Sequence, residues 1–302
     1  MEILRDVSLA DFTTFRIGGA AECFCTAESV ADLNLAAEFC KRSGETAPMR
    51  MTLLGNGSNV LVSDRGVRGL TVRVRLKGIE AVVADCRPSV IAAYAGETLP
   101  ALSSYFLAHG FSGLEWTCGI PASVGGAVIM NAGAYGFDIA KSVVWVEVLR
   151  DGTLLRLTAD ECGFSYRSSG FLPSDIIVCV GFKAYPDAYP DAYAAIRERM
   201  RICAQKRRAA QPHGRSAGSV FKAALLPGAS AKTPAGLLID RAGLKGTRVG
   251  GAAVSKQHAN FILNTGNASA AEVLELIGLV KAEVKRRFGA ELEEEIQYLG
   301  DF

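Results

Sequence analysis

The stretch LGNGSNVLVSD, residues 54–64, places two glycines and several small polar residues between apolar, strand-like runs. Successive backbone N–H groups in such a loop can converge on a phosphate, because glycine adopts positive φ and lets an anion approach the main chain. The Asn-Gly pair is also a strong hairpin signal, so a plain turn is the alternative interpretation. The loop is not a Rossmann fingerprint, since Val60 replaces the third glycine and strand-like residues follow in place of a helix.

A second loop rich in small residues is GIPASVGGAVIMNAGAYG, residues 119–136, which contains five glycines. The absence of bulky side chains lets the backbone lie against a flat or extended ligand, with Ser123 and Asn131 available as hydrogen-bonding groups. A tightly packed turn without a ligand would have the same composition. Two such loops in one region favour a dinucleotide-type ligand, which needs a diphosphate cradle and a slot for a planar ring.

Composition and charge describe a folded globular chain. The 302 residues are 49% hydrophobic, and the formal net charge is +2, so neither nucleic acid nor an anionic membrane is expected as a partner. The opening MEILRDVSLADF carries charges where a signal peptide needs an apolar core, which predicts a cytoplasmic location. The most apolar stretch is interrupted by glycines and asparagine, so no membrane span is predicted.

The cysteines and histidines do not have the spacing of a metal site. Eight cysteines are scattered without a C-x-x-C pair, and the three histidines lie far apart in the sequence. Free thiols and no metal are therefore expected.

The periodicity of the chain predicts an α+β fold in two domains. Residues 29–43 have helical spacing, whereas residues 70–76, 90–94, 143–149 and 176–182 read as strands. We assign residues 1–200 to a first domain of two α+β subdomains that split near residue 75. Residues 201–302 form a second domain, in which the capping box Ser269-Ala-Ala-Glu272 opens a helix that ends at Gly289.

Seven blocks along the chain together resemble one enzyme family. The chain is similar to the UDP-N-acetylenolpyruvoylglucosamine reductases (MurB), flavoenzymes of peptidoglycan synthesis, in their shorter form with a compact C-terminal domain. The blocks run in family order, and no single one is specific by itself. They are TTFRIGG (13–19), LGNGSNVLVSDRGVRGL (54–70), GLEWTCGIPASVGGAVIMNAGAYG (113–136), FSYRSSGF (164–171), SAGSVFK (216–222), AGLLIDRAGLKG (235–246) and VSKQHANFILN (254–264).

This resemblance implies a fold, a bound cofactor and a co-substrate. The fold is an FAD-binding domain of the vanillyl-alcohol oxidase (PCMH) type followed by a smaller α/β substrate-binding domain. NADPH reduces the flavin in this family, leaves, and is replaced by the UDP-sugar in the same cleft. The residues that the resemblance assigns to FAD are Gly55, Asn56, Gly57, Ser58, Asn59, Gly119, Ile120, Pro121, Ser123, Val124, Gly125, Gly126 and Asn131.

The implied reaction converts UDP-N-acetyl-3-O-(1-carboxyvinyl)-glucosamine to UDP-N-acetylmuramate. It needs a hydride at one alkene carbon and a proton at its neighbour. Between the two steps the negative charge spreads onto the carboxylate, so a cation is needed there. By the resemblance, Ser219 is the proton donor, Arg167 the cation and Glu295 the supporting carboxylate. Taken alone, Ser219 also reads as a turn residue and Arg167 as a surface arginine.

The resemblance also assigns substrate contacts and shows two departures from the family pattern. The predicted contacts are Arg207, with Arg208 as the alternative, and Lys222, His258 and Asn260. His258 reads equally well as a structural histidine. Ala223 stands where the family usually has asparagine, so Lys222, Ser230 or Lys232 is expected to supply that contact. Glu294 stands where proline usually precedes the catalytic glutamate, which leaves Glu293, Glu294 and Glu295 as candidates for that carboxylate.

Two other functions are compatible with the same loops. One is a flavoprotein oxidase of the same cofactor fold, which acts on an alcohol and is reoxidised rapidly by oxygen. The other is a non-catalytic module that binds a nucleotide sugar or flavin without consuming NADPH. No obligate protein partner is indicated.

Overall fold

The structure is a computed structural model that describes residues 1–43, 48–84, 87–186 and 192–302. Within these residues the helices are α1 Val30–Ser43, α2 Leu99–Ala108, α3 Val124–Ile129, α4 Ala192–Ala210, α5 Ala235–Arg241 and α6 Ala270–Phe288. Short 3-10 turns cover Leu9–Phe12, Glu115–Thr117 and Ile139–Lys141.

The strands in the first two thirds of the chain are β1 Leu4–Ser8, β2 Ala20–Ala27, β3 Met51–Leu54, β4 Val60–Val62, β5 Val67–Val74, β6 Ile79–Ala84, β7 Arg87–Tyr94, β8 Phe111–Ser112, β9 Gly133–Ala134, β10 Phe137–Asp138, β11 Val143–Arg150, β12 Thr153–Thr158, β13 Ile176–Lys183 and β14 Tyr185–Pro186. The remaining strands are β15 Ala224–Leu225, β16 Lys232–Thr233, β17 Arg248–Val249, β18 Ala252–Val254, β19 Ile262–Asn264 and β20 Gln297–Leu299. Helices and strands are mixed along the chain, so the predicted α+β class is confirmed.

Contacts within the described residues divide the chain into two compact units. The first consists of Met1–Glu2, Cys25–Asn56 and Val72–Arg207, and the second of Ile3–Phe24, Gly57–Thr71 and Arg208–Phe302. The second unit therefore combines the C-terminal third with two segments from near the N-terminus. The domain boundaries at 200 and near 75 stay predictions. We describe each unit separately.

The first unit is built around an antiparallel five-stranded sheet with the order β12-β11-β13-β7-β6. Strand β13 is buried along almost its whole length, as expected for a sheet strand covered on both faces. The hydrophobic core of the first unit includes Phe106 of α2, Val124 and Val128 of α3, and Val146 and Val180 of the sheet, each at most 1% exposed. Helix α3 lies inside the second small-residue stretch, residues 119–136, so part of the predicted loop is a helix that packs into the core of this unit.

The second unit packs α5 and α6 against the antiparallel sheet β17-β18-β19. Leu276, Val280 and Val284 lie four residues apart on α6 and are at most 1% exposed, which follows from the helical period. Burial of each such side chain contributes about 1.5–3 kcal/mol. Strand β20 runs parallel to β4, which pairs the C-terminal segment with the strand that follows the first glycine loop.

Local capping signals determine the ends of α6 as the sequence predicts. Ser269 accepts the N–H of Glu272, and the Glu272 side chain accepts the N–H of Ser269, which completes the capping box. Gly289 ends the helix with φ 66°, a conformation that glycine adopts without strain. Asp64, the last residue of the quoted stretch, adds a contribution that the sequence does not reveal, because its carboxylate accepts the N–H groups of Ala270 and Ala271.

Within the residues that the structure describes, no helix has the length and apolar character needed to span a membrane. Among the described residues, Cys23, Cys118, Cys162, Cys179 and Cys203 carry free thiols, whereas Cys86 lies outside the described residues.

Candidate active site

The first glycine loop lies between β3 and β4 and leaves no room for side chains at its glycines. A β-carbon on Gly55 would overlap Ser123 Oγ, and one on Gly57 would overlap the carbonyl oxygen of Phe12. Gly57 also has φ +62°. Glycine is therefore required at Gly57 by close approach of another backbone segment and at Gly55 by the side chain of Ser123.

The second loop is joined to the first within the first unit. Asn56 Nδ2 donates to the carbonyl of Pro121 at 2.7 Å. Ser123 begins α3, its Oγ accepting the N–H of Gly126 at 3.3 Å, while the N–H of Gly125 donates to the carbonyl of Ala95. These bonds hold the backbone of the two predicted cofactor loops in one arrangement.

The exposed backbone of the second loop fits a flat ligand. Gly119, Pro121 and Gly126 are exposed, whereas Ser123, Val124 and Gly125 are buried beneath them and Ile120 is half-buried. A β-carbon on Gly126 would meet only Ser123 Oγ, at 3.2 Å, and one on Gly119 would meet only Arg207 Cδ, at 3.5 Å. A side chain at either glycine would fill this open surface, so the residues present fit a dinucleotide cofactor that lies against the main chain.

Arg167 is held in a defined orientation in the first unit. Its backbone has φ 57°, which is uncommon for a residue with a side chain. Its Nη2 donates to the carbonyl of Gly133 at 2.8 Å, and its guanidinium lies 5.4 Å from the ring centroid of Tyr166. The buried side chain of Asn131 supports the same region, since Nδ2 donates to the carbonyl of Ser165 and Oδ1 accepts the N–H of Ala140.

Ser219 and Glu295 lie on neighbouring segments of the second unit. Gly218, with φ +79°, turns the chain into Ser219, which forms a β-bridge with Phe261. The N–H of Glu295 donates to the carbonyl of Val220 at 2.7 Å. The structure therefore brings the predicted proton donor and the predicted carboxylate onto adjacent backbone segments, both partly buried.

Asn59 ties the first glycine loop to the segment that carries Glu295. Its Nδ2 donates to the carbonyl of Glu295 at 3.0 Å, and its own carbonyl accepts the N–H of Gln297 at 2.8 Å. The resemblance assigned Asn59 and Ser58 to the cofactor but gave no link to Glu295, because Asn59 and Glu295 are 236 positions apart in the sequence. Only the fold brings them together.

The three adjacent glutamates have different surroundings. Glu293 pairs with Lys222, with Oε1 2.5 Å from Nζ, and this hydrogen bond and charge hold the pKa of Glu293 below its usual value. Glu294 pairs with Lys281 through both carboxylate oxygens, at 2.9 and 3.1 Å. Leu292 and Ile296 are buried on either side. Each lysine pair holds a different glutamate, and the choice of Glu295 as the catalytic carboxylate stays a prediction.

The remaining predicted substrate contacts have clear structural neighbours. Asn260 is buried, and its amide is used in full by the backbone of Phe221, with Oδ1 accepting at 3.0 Å and Nδ2 donating at 2.8 Å. His258 Nδ1 accepts the N–H of Asn260, and burial lowers the pKa of this imidazole. Both residues therefore support the backbone around Ser219.

Arg207, in the first unit, lies close to the second loop. Burial lowers the pKa of its guanidinium, whereas the nearby Tyr135 and Cys118 act in the opposite direction. A cation beside Gly119 suits an anionic ligand that crosses the exposed backbone of this loop.

Comparisons with known proteins agree over the whole chain. The family model described as FAD binding domain matches residues 21–158, and the model described as UDP-N-acetylenolpyruvoylglucosamine reductase, C-terminal domain, matches residues 210–299. The predicted combination of an FAD-binding domain with a second, smaller domain is thus confirmed, as is FAD as the cofactor.

Proteins with the name UDP-N-acetylenolpyruvoylglucosamine reductase are similar over nearly their full length. The protein from Moorella thermoacetica is 42% identical over 303 residues, which cover 100% of this chain and 94% of that one. The protein from Rubrobacter xylanophilus is 37% identical over 300 residues, with 98% and 95% covered. The crystal structure of UDP-N-acetylenolpyruvylglucosamine reductase (MurB) from Thermus caldophilus has a TM-score of 0.79 and 36% identity, and the match covers 99% of this chain and 98% of that one. Matches of this identity and coverage show that the chain belongs to the UDP-N-acetylenolpyruvoylglucosamine reductase family.

Proposed function

We propose that this chain reduces UDP-N-acetyl-3-O-(1-carboxyvinyl)-glucosamine to UDP-N-acetylmuramate at the expense of NADPH. The observation that carries the proposal is the pairing of the Ser219 and Glu295 segments, through the N–H of Glu295 and the carbonyl of Val220, with Asn59 of the glycine loop bonded to the same glutamate. An acid, a supporting carboxylate and a cofactor loop are thereby part of one framework.

The cofactor is held by backbone and small side chains of the two loops. Gly55 and Asn56 with Gly119–Gly126 provide the surface in the first unit, while Gly57, Ser58 and Asn59 continue the first loop in the second. Bound FAD supplies the hydride chemistry, by which electrons from NADPH reach the enolpyruvyl double bond. Asn131 contributes indirectly, because its amide holds the backbone near Arg167.

Three side chains of the chain carry the other half of the reaction. Arg167 binds the carboxylate of the enolpyruvyl group and stabilises the negative charge that spreads onto it when hydride arrives at the terminal alkene carbon, the one that does not bear the carboxylate. Ser219 gives its hydroxyl proton to the other alkene carbon, which completes the saturated lactyl ether. Glu295 supports Ser219, because a serine hydroxyl is a weak acid and needs a neighbour that orients it and returns its proton.

Substrate binding rests on cations and on the framework around them. Lys222 and Arg207 suit the diphosphate, and His258 with Asn260 keeps the strand that follows Ser219 in position. Ala223 offers no side-chain hydrogen bond, so Lys222, Ser230 or Lys232 replaces the family asparagine. We also propose that the FAD-binding domain ends at residue 200 and that the protein is located in the cytoplasm.

The test is a visible spectrum of the purified protein followed by an NADPH oxidation assay with and without the enolpyruvyl sugar nucleotide. A yellow protein whose NADPH consumption requires the sugar nucleotide is expected. Consumption that depends only on oxygen would instead indicate the oxidase, and bound FAD without NADPH consumption would indicate the binding module. A protein that binds no FAD would refute the proposal.

A further inference from the structure

Glu294, next to the proposed reactive carboxylate, occupies a special position in the backbone pairing. It forms an antiparallel bridge with Phe221, and the two bonds of that bridge are made by its neighbours. The N–H of Lys222 donates to the carbonyl of Glu293, and the N–H of Glu295 donates to the carbonyl of Val220. The N–H of Glu294 takes part in neither bond, so within this bridge the backbone restrains Glu294 through the residues beside it.

The side chain of Glu294 supplies a second attachment, to another element of the unit. Both carboxylate oxygens accept from Lys281 Nζ, which lies on α6, and the carboxylate side chain is 22% exposed. A charge-assisted bond at a partly buried site is stronger than one at the open surface. Because α6 is anchored by Leu276, Val280 and Val284 in the core, Lys281 is a firm attachment point.

A third residue completes the cluster. The hydroxyl of Tyr298, on β20, lies beside the Glu294 carboxylate, and burial together with the charge of Glu294 and a hydrogen bond with it raises the pKa of this tyrosine well above its usual value. Glu294 is thus held by a helix on one side and by the following strand on the other, with Glu295 as its immediate neighbour in the chain.

We infer that Glu294 is a positioning residue: the cluster of Lys281, Glu294 and Tyr298 fixes the backbone at Glu295 and thereby orients the carboxylate that supports Ser219. This inference rests on the proposed function. Small displacements of a reacting group are costly, and a misplacement of about 1 Å can lower a rate about 100-fold. The cluster touches neither substrate nor cofactor in this scheme and acts only through the main chain.

The experiment uses the FAD-loaded protein and measures the two half-reactions separately by stopped-flow absorbance. Flavin reduction by NADPH does not require Glu295, whereas flavin reoxidation by the enolpyruvyl sugar nucleotide does. The variants are Glu294→Ala, Lys281→Met and Tyr298→Phe, each of which removes one member of the cluster. Lys285→Met is the matched control, because Lys285 lies one turn further along α6 and pairs with Glu291 at 2.7 Å.

A fourth variant separates positioning from loss of charge. Glu294→Pro removes the carboxylate but restricts φ, and it sacrifices no bond of the bridge because the N–H of Glu294 is not used there. If the cluster acts by restraint, this variant should reoxidise its flavin faster than Glu294→Ala.

We expect Glu294→Ala and Lys281→Met to slow reoxidation about tenfold or more while flavin reduction, the KM for NADPH and the unfolding midpoint stay close to wild type. Tyr298→Phe should have a smaller effect in the same direction, and Lys285→Met should match the wild type. Wild-type reoxidation in Glu294→Ala and Lys281→Met, an equal fall of both half-reactions, or a proline variant no faster than alanine would overturn the inference. If Glu294→Ala does not fold, Lys281→Met and Tyr298→Phe decide the outcome. A wild-type protein that does not reduce the sugar nucleotide would instead refute the proposed function itself.

Discussion

Alanine in place of Gly55 is expected to weaken FAD binding through a steric effect alone. A β-carbon there would lie closer than 3.0 Å to Ser123 Oγ and 3.5 Å from Ser123 Cβ. Gly55, unlike Gly57, does not have positive φ, so alanine suits its backbone and only the space is lacking. Since Ser123 Oγ accepts the N–H of Gly126 at the start of α3, the methyl group must displace this cap or the loop.

The size of the effect follows from these two contacts. Loss of an N-cap costs about 1 kcal/mol, and overpacking at a buried contact costs about 1–3 kcal/mol. We therefore expect the free energy of unfolding to fall by about 2 kcal/mol. Because 1.4 kcal/mol corresponds to a factor of ten, a loop displaced at this cost should raise the Kd for FAD about tenfold or more.

The assay is urea unfolding together with FAD titration of the apoprotein by flavin fluorescence. Ser123→Gly removes the clashing hydroxyl and costs only a few tenths of a kcal/mol as a cap, so the double variant Gly55→Ala/Ser123→Gly should be about 1 kcal/mol more stable than Gly55→Ala. Gly278→Ala is the control: no atom lies within 4 Å of its added carbon, so stability should rise by up to about 1 kcal/mol with an unchanged Kd. Strict additivity in the double variant, or a wild-type Kd for Gly55→Ala, would refute the steric explanation.

Three further predictions concern the reaction and the stability of each unit. Ser219→Ala should leave flavin reduction by NADPH intact and slow reduction of the sugar nucleotide about 100-fold or more; parallel losses in both half-reactions would contradict a proton-donor role. Asp175→Asn should lower the free energy of unfolding by about 3 kcal/mol, because the buried carboxylate holds Arg150 through two bonds of 2.6 and 2.9 Å and the Arg150 side chain is only 30% exposed. The hydrogen bond from Arg150 lowers the pKa of Asp175, so this stability is present above about pH 4 and is lost as the pH falls through the depressed value; urea titrations should therefore show a flatter acid dependence in the variant. Ser269→Ala should cost about 1 kcal/mol by removing half of the capping box of α6, and an unchanged urea midpoint would show that the cap does not contribute.

Elements with local signals were predictable to within a few residues. Helix α6 begins and ends where its capping box and Gly289 require, and α1, Val30–Ser43, lies within the residues 29–43 whose spacing is helical. The run LEEEIQYL, residues 292–299, has the alternation of a strand but forms one only at its end. Strand β20 covers Gln297–Leu299, and the glutamates before it are joined to their neighbour by a single bridge. Leu292 and Ile296 are buried four residues apart, as period two in an extended backbone requires, whereas the adjacent Gln297 and Tyr298 are both exposed.

The path of the chain could not be predicted in the same way. Residues 3–24 and 57–71 belong to the same compact unit as the C-terminal third, although residues 72–207 lie between them and it in the sequence. Packing of segments so far apart leaves no periodicity or composition change at a boundary. A division of the sequence into consecutive domains therefore groups residues 3–24 and 57–71 with the residues next to them in the chain.

By itself the sequence determined the family and FAD as the cofactor, and it predicted the reacting side chains, because glycine loops, caps and short motifs act through neighbouring residues. Only the tertiary structure decided how those side chains are held. Asn59 bonds Glu295 across 236 positions, and Lys281 holds Glu294 across 13. Such bonds join a side chain to whatever segment folding brings beside it. Their partners are set by chain path and packing, which no local pattern of residues records.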